Sequence, residues 1–291
     1  MSNIITLSDG RSLAYEEFGS PDGQPLLIFH GNPGSRRDIY LMGTDNINRN
    51  DIRIIAPDRP GIGQSTFQPG RNILDWPDDV AALADSLGLG SFAALGISCG
   101  SPYLAACAYA IPERLSAAGI VSGTAPFNAP GVLKGMGPGR YYFLAAQRVP
   151  FLARQQLKMM GTGVSSAQNR EKFTRQMLSL LPEADKETLS DPTLREAFFD
   201  SIQEGLKQST DGMAYDAALI NQSWGFDLEA IKIPVHIWHG EADRNAPVAM
   251  GRYMAETIPN SRAKFIPGEG HLSVFVCYLP EILEGLMGSS R

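Results

Sequence analysis

The segment Phe92-Ala93-Ala94-Leu95-Gly96-Ile97-Ser98-Cys99-Gly100-Ser101-Pro102-Tyr103-Leu104-Ala105-Ala106-Cys107-Ala108 changes character at its middle. An apolar run fit for a buried strand meets a run of small, helix-forming residues, and Ser98 stands near the junction within a Gly-x-Ser-x-Gly pattern. A turn from strand to helix this abrupt drives the residue at its apex into a strained backbone conformation, at about 1–3 kcal/mol. It also draws the flanking backbone so close that only glycine fits at positions 96 and 100. The serine Oγ is thereby presented at the rim of a sheet. Pro102 agrees with this reading, because a residue in the first helical turn has no intrahelical acceptor for its N–H. Cys99 follows the exposed residue, so its backbone N–H, and not its thiol, is expected to face a reacting group.

Outward from this turn the chain alternates strand and helix patterns. Residues 4–7 and 13–18 read as two short strands about the hairpin turn Ser8-Asp9-Gly10-Arg11, an antiparallel edge. Leu26-Leu27-Ile28-Phe29 and Ile52-Arg53-Ile54-Ile55-Ala56 have the largely apolar character of parallel strands covered on both faces. Residues 72–87 carry apolar side chains at helical spacing and close at Gly88, a natural left-handed cap. Residues 117–122, 233–239 and 263–266 read as further strands, with a helix over 248–256. Together these predict an α/β sheet that is mostly parallel.

Composition removes several classes of function. The chain has 291 residues, 43% hydrophobic and 19% charged, with a formal charge of -6, and no block of like charges offers a footprint for nucleic acid. The N-terminal residues lack the basic start and apolar core of a signal peptide, and no run is long enough to span a bilayer, so a cytoplasmic location without stable membrane insertion is expected. Cys99, Cys107 and Cys277 are odd in number and lack paired or metal-ligand spacing, which indicates neither a disulfide framework nor a zinc site. Gly61-Ile62-Gly63 could suggest a phosphate-cradling loop, but the remaining glycine spacing and the following helix do not match a dinucleotide site.

The serine turn, with its strand before and small-residue helix after, resembles the nucleophile elbow of the α/β-hydrolase family, on the esterase and proline-iminopeptidase-like branch. Pro57-Asp58-Arg59-Pro60-Gly61-Ile62-Gly63-Gln64-Ser65 is similar to that family's D-x-x-G-x-G-x-S segment, and His30-Gly31-Asn32-Pro33-Gly34 matches its oxyanion-hole loop. The resemblance implies an eight-stranded, mostly parallel α/β-hydrolase sheet flanked by helices, formed by residues 1–124 and 226–291, with a helical lid inserted over 125–225. It further implies a triad in the chain order Ser98, Asp243, His271, and an oxyanion hole made by the backbone N–H groups of Asn32 and Cys99. Pro33 has no N–H to give, and the usual pattern in proline-iminopeptidase-like relatives has glycine where Asn32 stands. Of the four histidines, only His271 lies in a glycine-flanked loop after the last strand; His30 is expected to be a structural brace. For the acid, Ser122-Gly123-Thr124-Ala125 after the sixth strand holds no carboxylate, and Glu241 is nearer the strand end than Asp243.

The activity this implies is hydrolysis of a small-molecule carboxylic ester through an acyl-enzyme on Ser98, with no cofactor and no metal. A prolyl-aminopeptidase-like peptidase, a C–C bond hydrolase and a non-catalytic small-molecule binder remain alternatives, and the oligomeric state is not readable. The lid is expected to fix substrate choice. It enters and leaves between two strands, so the sheet is expected to fold without it. From residue 125 to 170 it carries Lys134, Arg140, Arg148, Arg154, Lys158 and Arg170 but no Asp or Glu; attraction of an anionic substrate or a membrane surface is one reading, and pairing with the acidic second half, Glu183, Asp185, Glu187, Asp191, Glu196, Asp200 and Glu204, is the expected one.

Overall fold

The computed structural model describes residues 2–288. Eight strands form one sheet: β1 (Asn3–Thr6), β2 (Ser12–Gly19), β3 (Gln24–Phe29), β4 (Ile52–Pro57), β5 (Phe92–Ile97), β6 (Leu115–Val121), β7 (Val235–Gly240) and β8 (Ser261–Ile266). Their order is β1-β2-β4-β3-β5-β6-β7-β8. β2 runs antiparallel to both β1 and β4, and every pairing beyond β4 is parallel. The mostly parallel α/β sheet and its antiparallel edge are therefore as the sequence predicts.

Every residue of β5 is buried. Its side chains alternate between two cores, Phe92 and Ala94 on one face and Ala93, Leu95 and Ile97 on the other. β3 divides in the same way, with Leu27 and Phe29 opposite Leu26 and Ile28. This two-sided burial explains why the central strands read as continuous apolar runs. A short helix, α1 (Thr44–Ile47), precedes β4, while α2 (Trp76–Ser86) and α3 (Ser101–Ala110) flank β5 in the chain. After β6 come six helices of the insertion: α4 (Arg140–Arg148), α5 (Pro150–Gly163), α6 (Ala167–Leu178), α7 (Glu183–Thr188), α8 (Pro192–Gly205) and α9 (Asp211–Ile220). Helix α10 (Val248–Thr257) joins β7 to β8, and α11 (His271–Cys277) and α12 (Leu279–Met287) close the chain.

The insertion is not a separable cover. Phe127, Met136, Phe143, Leu157, Met213 and Trp224 belong to the same apolar cluster as Leu27, Ala94 and Ile237 of the sheet. Buried ion pairs cross the same boundary. Arg36 bonds Glu16 and Asp58 of the core and, at 2.8 Å, Glu204 of α8. Asp216 of α9 is held by Arg59 at 2.6 Å, by Arg71, and by the Tyr103 hydroxyl at 2.7 Å. Burial alone would raise the Asp216 pKa, but the two guanidinium groups hold it well below the usual carboxylate range. The insertion and the sheet thus share one apolar core, which weighs against the expectation that the sheet folds without it. Removing these helices would expose apolar core and leave Arg36, Arg59 and Arg71 short of counter-charge in a buried setting.

The expected pairing within the insertion holds only in part. Arg170 bonds Glu196 and Asp200, whereas Arg154 pairs with Asp211, outside the expected set. Glu204 and Asp185 turn instead to the core, to Arg36 and to the N-terminus of α11. Of the acidic half, Asp185 and Glu204 fasten the insertion to the body of the protein.

Candidate active site

Ser98 directly follows β5 with φ at 53°, one of two non-glycine residues with positive φ among those described. The crowding behind that strain is explicit. A Cβ on Gly96 would stand 2.8 Å from the Gly100 carbonyl oxygen, and one on Gly100 would overlap the Phe29 carbonyl. The Ser98 carbonyl is fixed by the Thr124 N–H at 3.3 Å and the Ser101 hydroxyl at 2.8 Å, which holds the turn from below. Its Oγ faces His271 Nε2 at 2.9 Å. His271 Nδ1 in turn lies 2.7 Å from Asp243 Oδ2.

Asp243 is buried, and its second oxygen accepts the N–H groups of Asn245 at 2.8 Å and Ala246 at 3.0 Å, so the carboxylate cannot rotate away. Beside it, His239 donates through Nε2 to the Ala246 carbonyl at 2.7 Å and sits 3.6 Å from Asp243 Oδ2. Burial lowers the His239 pKa, which suits a neutral ring bracing the acid's loop. For His271, burial also disfavours the cation. There the Asp243 charge and hydrogen bond outweigh it, with Asp185 and Asp38 adding to them, and the pKa is raised above the ordinary histidine value. Glu241 is exposed and bonds Arg252 at 2.6 Å, away from the imidazole.

The placement of His271 depends on residues that sequence reading did not single out. It is the first residue of α11, and Asp185 of α7 accepts three consecutive N–H groups there, from His271 at 2.9 Å, Leu272 at 2.8 Å and Ser273 at 2.9 Å. A carboxylate at a helix N-terminus satisfies donors that have no intrahelical partner and opposes the helix dipole. The approach is so close that a Cβ on Gly270 would overlap the Asp185 carboxylate. The other residue with positive φ, Ser122 at the end of β6, donates from Oγ to the His271 carbonyl at 2.9 Å. No pattern in the sequence marks either residue. Asp185 is one acid among many, and only the packing of the insertion brings it to the site.

The loop opposite Ser98 is equally constrained. His30 is a brace, as expected: Nε2 accepts the Arg59 N–H at 3.2 Å, Nδ1 lies 2.8 Å from the Gly31 carbonyl, and burial beside Arg59 keeps its pKa well below the ordinary value. Arg59 grips the His30 and Gly31 carbonyls at 2.5 and 2.9 Å while pairing with Asp216, which links the loop to the insertion. The buried Asp38 accepts the Gly31 N–H at 2.8 Å and the Ser201 hydroxyl at 2.5 Å. The Asn32 side chain is spoken for, its amide donating to the Met213 carbonyl at 2.9 Å and its oxygen accepting the Tyr142 hydroxyl at 3.0 Å. What remains toward Ser98 at this position is backbone. Cys99 Sγ lies 3.9 Å from the Asn32 carbonyl, so the two residues are neighbours beside Ser98. Burial pushes the Cys99 thiol up to about 12, which leaves no thiolate to compete with the serine.

Above these groups is a cavity of about 300 Å³. Ser98, Cys99, Asn32 and His271 border one end, and Met160, Phe173, Met177, Leu181, Phe198 and Ile202 of the insertion line the apolar remainder. A second cleft of about 490 Å³, lined by Ser165, Arg170, Thr174, Arg175, Arg195 and Glu196 among others, borders none of the groups around Ser98. Among the described residues no cluster of three or more His, Cys, Asp or Glu side chains is arranged to hold a metal ion.

With this geometry in view, the comparisons with known proteins agree. A family model described as alpha/beta hydrolase fold matches residues 24–276. The chain belongs to the α/β-hydrolase family. Among relatives of this α/β-hydrolase is a bifunctional esterase/perhydrolase of Acinetobacter calcoaceticus, 25% identical over 276 residues that cover 92% of each chain. A proline iminopeptidase of Neisseria gonorrhoeae is 30% identical, over only 117 residues, 39% of this chain and 37% of that one. Among solved structures, a thermophilic esterase from Thermogutta terrifontis shares the fold, with a TM-score of 0.71 at 24% identity and all of both chains covered.

Proposed function

We propose that this α/β-hydrolase cleaves small or medium carboxylic esters through a Ser98 acyl-enzyme. The observation that carries the reading is the hydrogen-bonded chain Ser98–His271–Asp243 at one end of an apolar cavity. In the first half-reaction Ser98 Oγ attacks the ester carbonyl as its proton passes to His271 Nε2. Asp243 holds the ring in the tautomer that leaves Nε2 free and stabilises the imidazolium that forms. The N–H groups of Asn32 and Cys99 receive the oxyanion, and His271 then returns the proton to the departing alcohol. In the second half, water activated by His271 attacks the acyl group and Ser98 leaves with the proton. The apolar wall excludes water from the acyl chain and strengthens each electrostatic contact at the reacting centre.

A peptidase selecting a free amine would need a carboxylate open to the substrate. Asp38 is the carboxylate bordering the cavity, and it is already engaged by the Gly31 N–H and the Ser201 hydroxyl. That favours the ester. A p-nitrophenyl ester series of increasing acyl length, run beside aminoacyl p-nitroanilides and fluorophosphonate labelling, tests the proposal. Expected are labelling that Ser98→Ala abolishes, ester turnover, and kcat/KM rising up to about fourfold per added methylene, from about 0.8 kcal/mol each, until the cavity is full. Faster turnover of an anilide, or labelling retained in Ser98→Ala, would overturn it.

A further inference from the structure

Nine large apolar side chains are exposed among the described residues, and five of them, Tyr141, Val149, Phe151, Leu152 and Met159, fall within α4, α5 and the joint between them. Exposed apolar residues scattered singly need no explanation, but a cluster of this kind does. The pattern within α5 is specific. Its inner face is satisfied by Ala153 and Leu157, both buried, while Phe151 and Met159 are left 63% and 67% exposed. The outward apolar residues therefore contribute little to holding the helix in place. They share that face with cations. Phe151, Arg154 and Lys158 follow one another at i, i+3 and i+7, and Leu152 and Met159 form the adjacent stripe. On α4, Tyr141 and Arg148 are likewise seven residues apart, and the Arg140 guanidinium stacks on the Tyr141 ring at 4.8 Å.

Charge decides what this surface fits. Residues 125–170 contain six Lys and Arg and no Asp or Glu. Arg154 and Arg170 have carboxylate partners, whereas Lys134, Arg140, Arg148 and Lys158 form no ion pair with any described residue. Exposed aromatic and aliphatic side chains interleaved with uncompensated cations match the boundary of an anionic lipid surface, where apolar groups enter the acyl region and cations meet headgroup phosphates. The surface also adjoins the cavity in the chain, since Gly139 and Met160, neighbours of Arg140 and Met159, line it. Among the described residues no helix is long and apolar enough to cross a membrane, so the contact is peripheral.

We propose that the exposed face of α4 and α5 docks this protein on anionic membrane surfaces. The inference stands independently of the ester-hydrolase reading. Its test is co-sedimentation of the full chain with vesicles of phosphatidylglycerol mixed into phosphatidylcholine, against vesicles of phosphatidylcholine alone, at low and high salt. Binding to the anionic vesicles that weakens with salt is expected. Arg148→Gln with Lys158→Gln should reduce it roughly thirtyfold, and Phe151→Ser with Leu152→Ser about tenfold or more. All four side chains are exposed and none borders the cavity, so Tm should be nearly unchanged in both variants, which shows that they fold. Absence of vesicle binding, equal binding to neutral vesicles, or concentration-dependent self-association abolished by the Phe151/Leu152 variant would each overturn the proposal, the last in favour of a second copy of this chain as the occupant.

Discussion

Replacing Asp185 tests whether the insertion positions the histidine as well as covering the serine. In Asp185→Ala three backbone N–H groups at the start of α11 lose their acceptor. Orphaned buried donors cost about 1–3 kcal/mol each, but the site is only partly closed to water at His271, and a lost N-cap alone is worth about 0.5–2 kcal/mol. A loss of about 3 kcal/mol is the resulting expectation, which for a chain of this size lowers Tm by roughly 6–12 °C. Asp185→Asn is the sharper variant. It keeps one carbonyl oxygen for Leu272 and Ser273 but can turn an NH2 group toward the His271 N–H, so the stability loss should be smaller, about 1–3 kcal/mol. The damage falls on the first residue of the helix. An imidazole displaced by even about 1 Å from Ser98 Oγ costs on the order of 10² in rate, so kcat should fall by about 10–10² while KM changes little.

The pH profile separates positioning from mere destabilisation. In the proposed mechanism His271 must be neutral to accept the serine proton, so kcat/KM should rise with pH through the His271 pKa, which its carboxylate neighbours raise. Asp185 is one of those neighbours, and removing its charge lowers that pKa and shifts the acid limb to lower pH in both variants. The assay is kcat and kcat/KM against pH on a soluble p-nitrophenyl ester, with Tm measured alongside. A lowered Tm with kcat and the acid limb both unmoved would refute the reasoning and leave Asp185 as a purely structural anchor of the insertion.

Three further outcomes follow from the same geometry. Asp243→Asn should keep the fold and lose about 10⁴ in kcat, by analogy with the serine-protease triad, whereas Glu241→Gln, which loses only its exposed bond to Arg252, should stay near wild type; a reversal at matched Tm would reassign the acid. Asn32→Gly retains the backbone N–H but loses the side-chain bonds to Tyr142 and the Met213 carbonyl, so it should lower Tm while reducing kcat by less than the 10²–10³ typical of a deleted oxyanion donor; a loss that large, read in single-turnover assays, would assign the oxyanion to the side chain. Asp216→Asn leaves Arg59 and Arg71 buried without their counter-charge and should destabilise by about 3–5 kcal/mol at neutral pH. Because the Asp216 pKa is depressed in the folded state, its stabilisation is present above the unfolded carboxylate pKa and is lost as pH falls below about 4, so urea midpoints of variant and parent should converge in acid.

The parts legible in the sequence were those set by local chemistry. Two-sided burial leaves an apolar run, and a strained strand-to-helix turn leaves glycines at positions 96 and 100, so β5 and the serine at its end could be placed from residues alone. His271 could be isolated because three other histidines sat against strands, where the structure finds His30 and His239 buried and braced. What could not be read was set by contacts across large separations. Asp185 meets α11 over 86 positions or more, Asp216 meets Arg59 over 157, and Ser201 meets Asp38 over 163. Nothing in the local pattern distinguishes such an acid from a solvated one, and a charge count suggested pairing inside the insertion where Glu204 and Asp185 pair outside it.

Those long-range contacts share a direction that bears on how selectivity and reactivity can vary. Asp216 reaches the loop opposite Ser98 through Arg59, Ser201 reaches it through Asp38, and Tyr142 and Met213 reach it through Asn32, while Asp185 reaches the helix that begins with His271. The same insertion supplies Phe173, Met177 and Ile202 to the cavity wall. A substitution that reshapes this wall must be absorbed by α6 and α8, and α8 carries Ser201 in the chain position next to Ile202. Shifting Ile202 by a few tenths of an ångström therefore pulls on Asp38 and on the Gly31 N–H it fixes, one residue from the expected oxyanion donor. Phe173 and Met177 sit on α6, which among the described residues makes no hydrogen bond to the loop itself and reaches it at one remove through α8, by the Phe173 ring on Phe199 and by Arg170 on Glu196 and Asp200. Enlarging the cavity at Phe173 should alter acyl preference at nearly constant kcat for short esters, whereas an equal change at Ile202 should lower kcat for every ester. The two outcomes becoming indistinguishable would mean that the bonds through Ser201 and Asp38 do not transmit strain to the reacting centre.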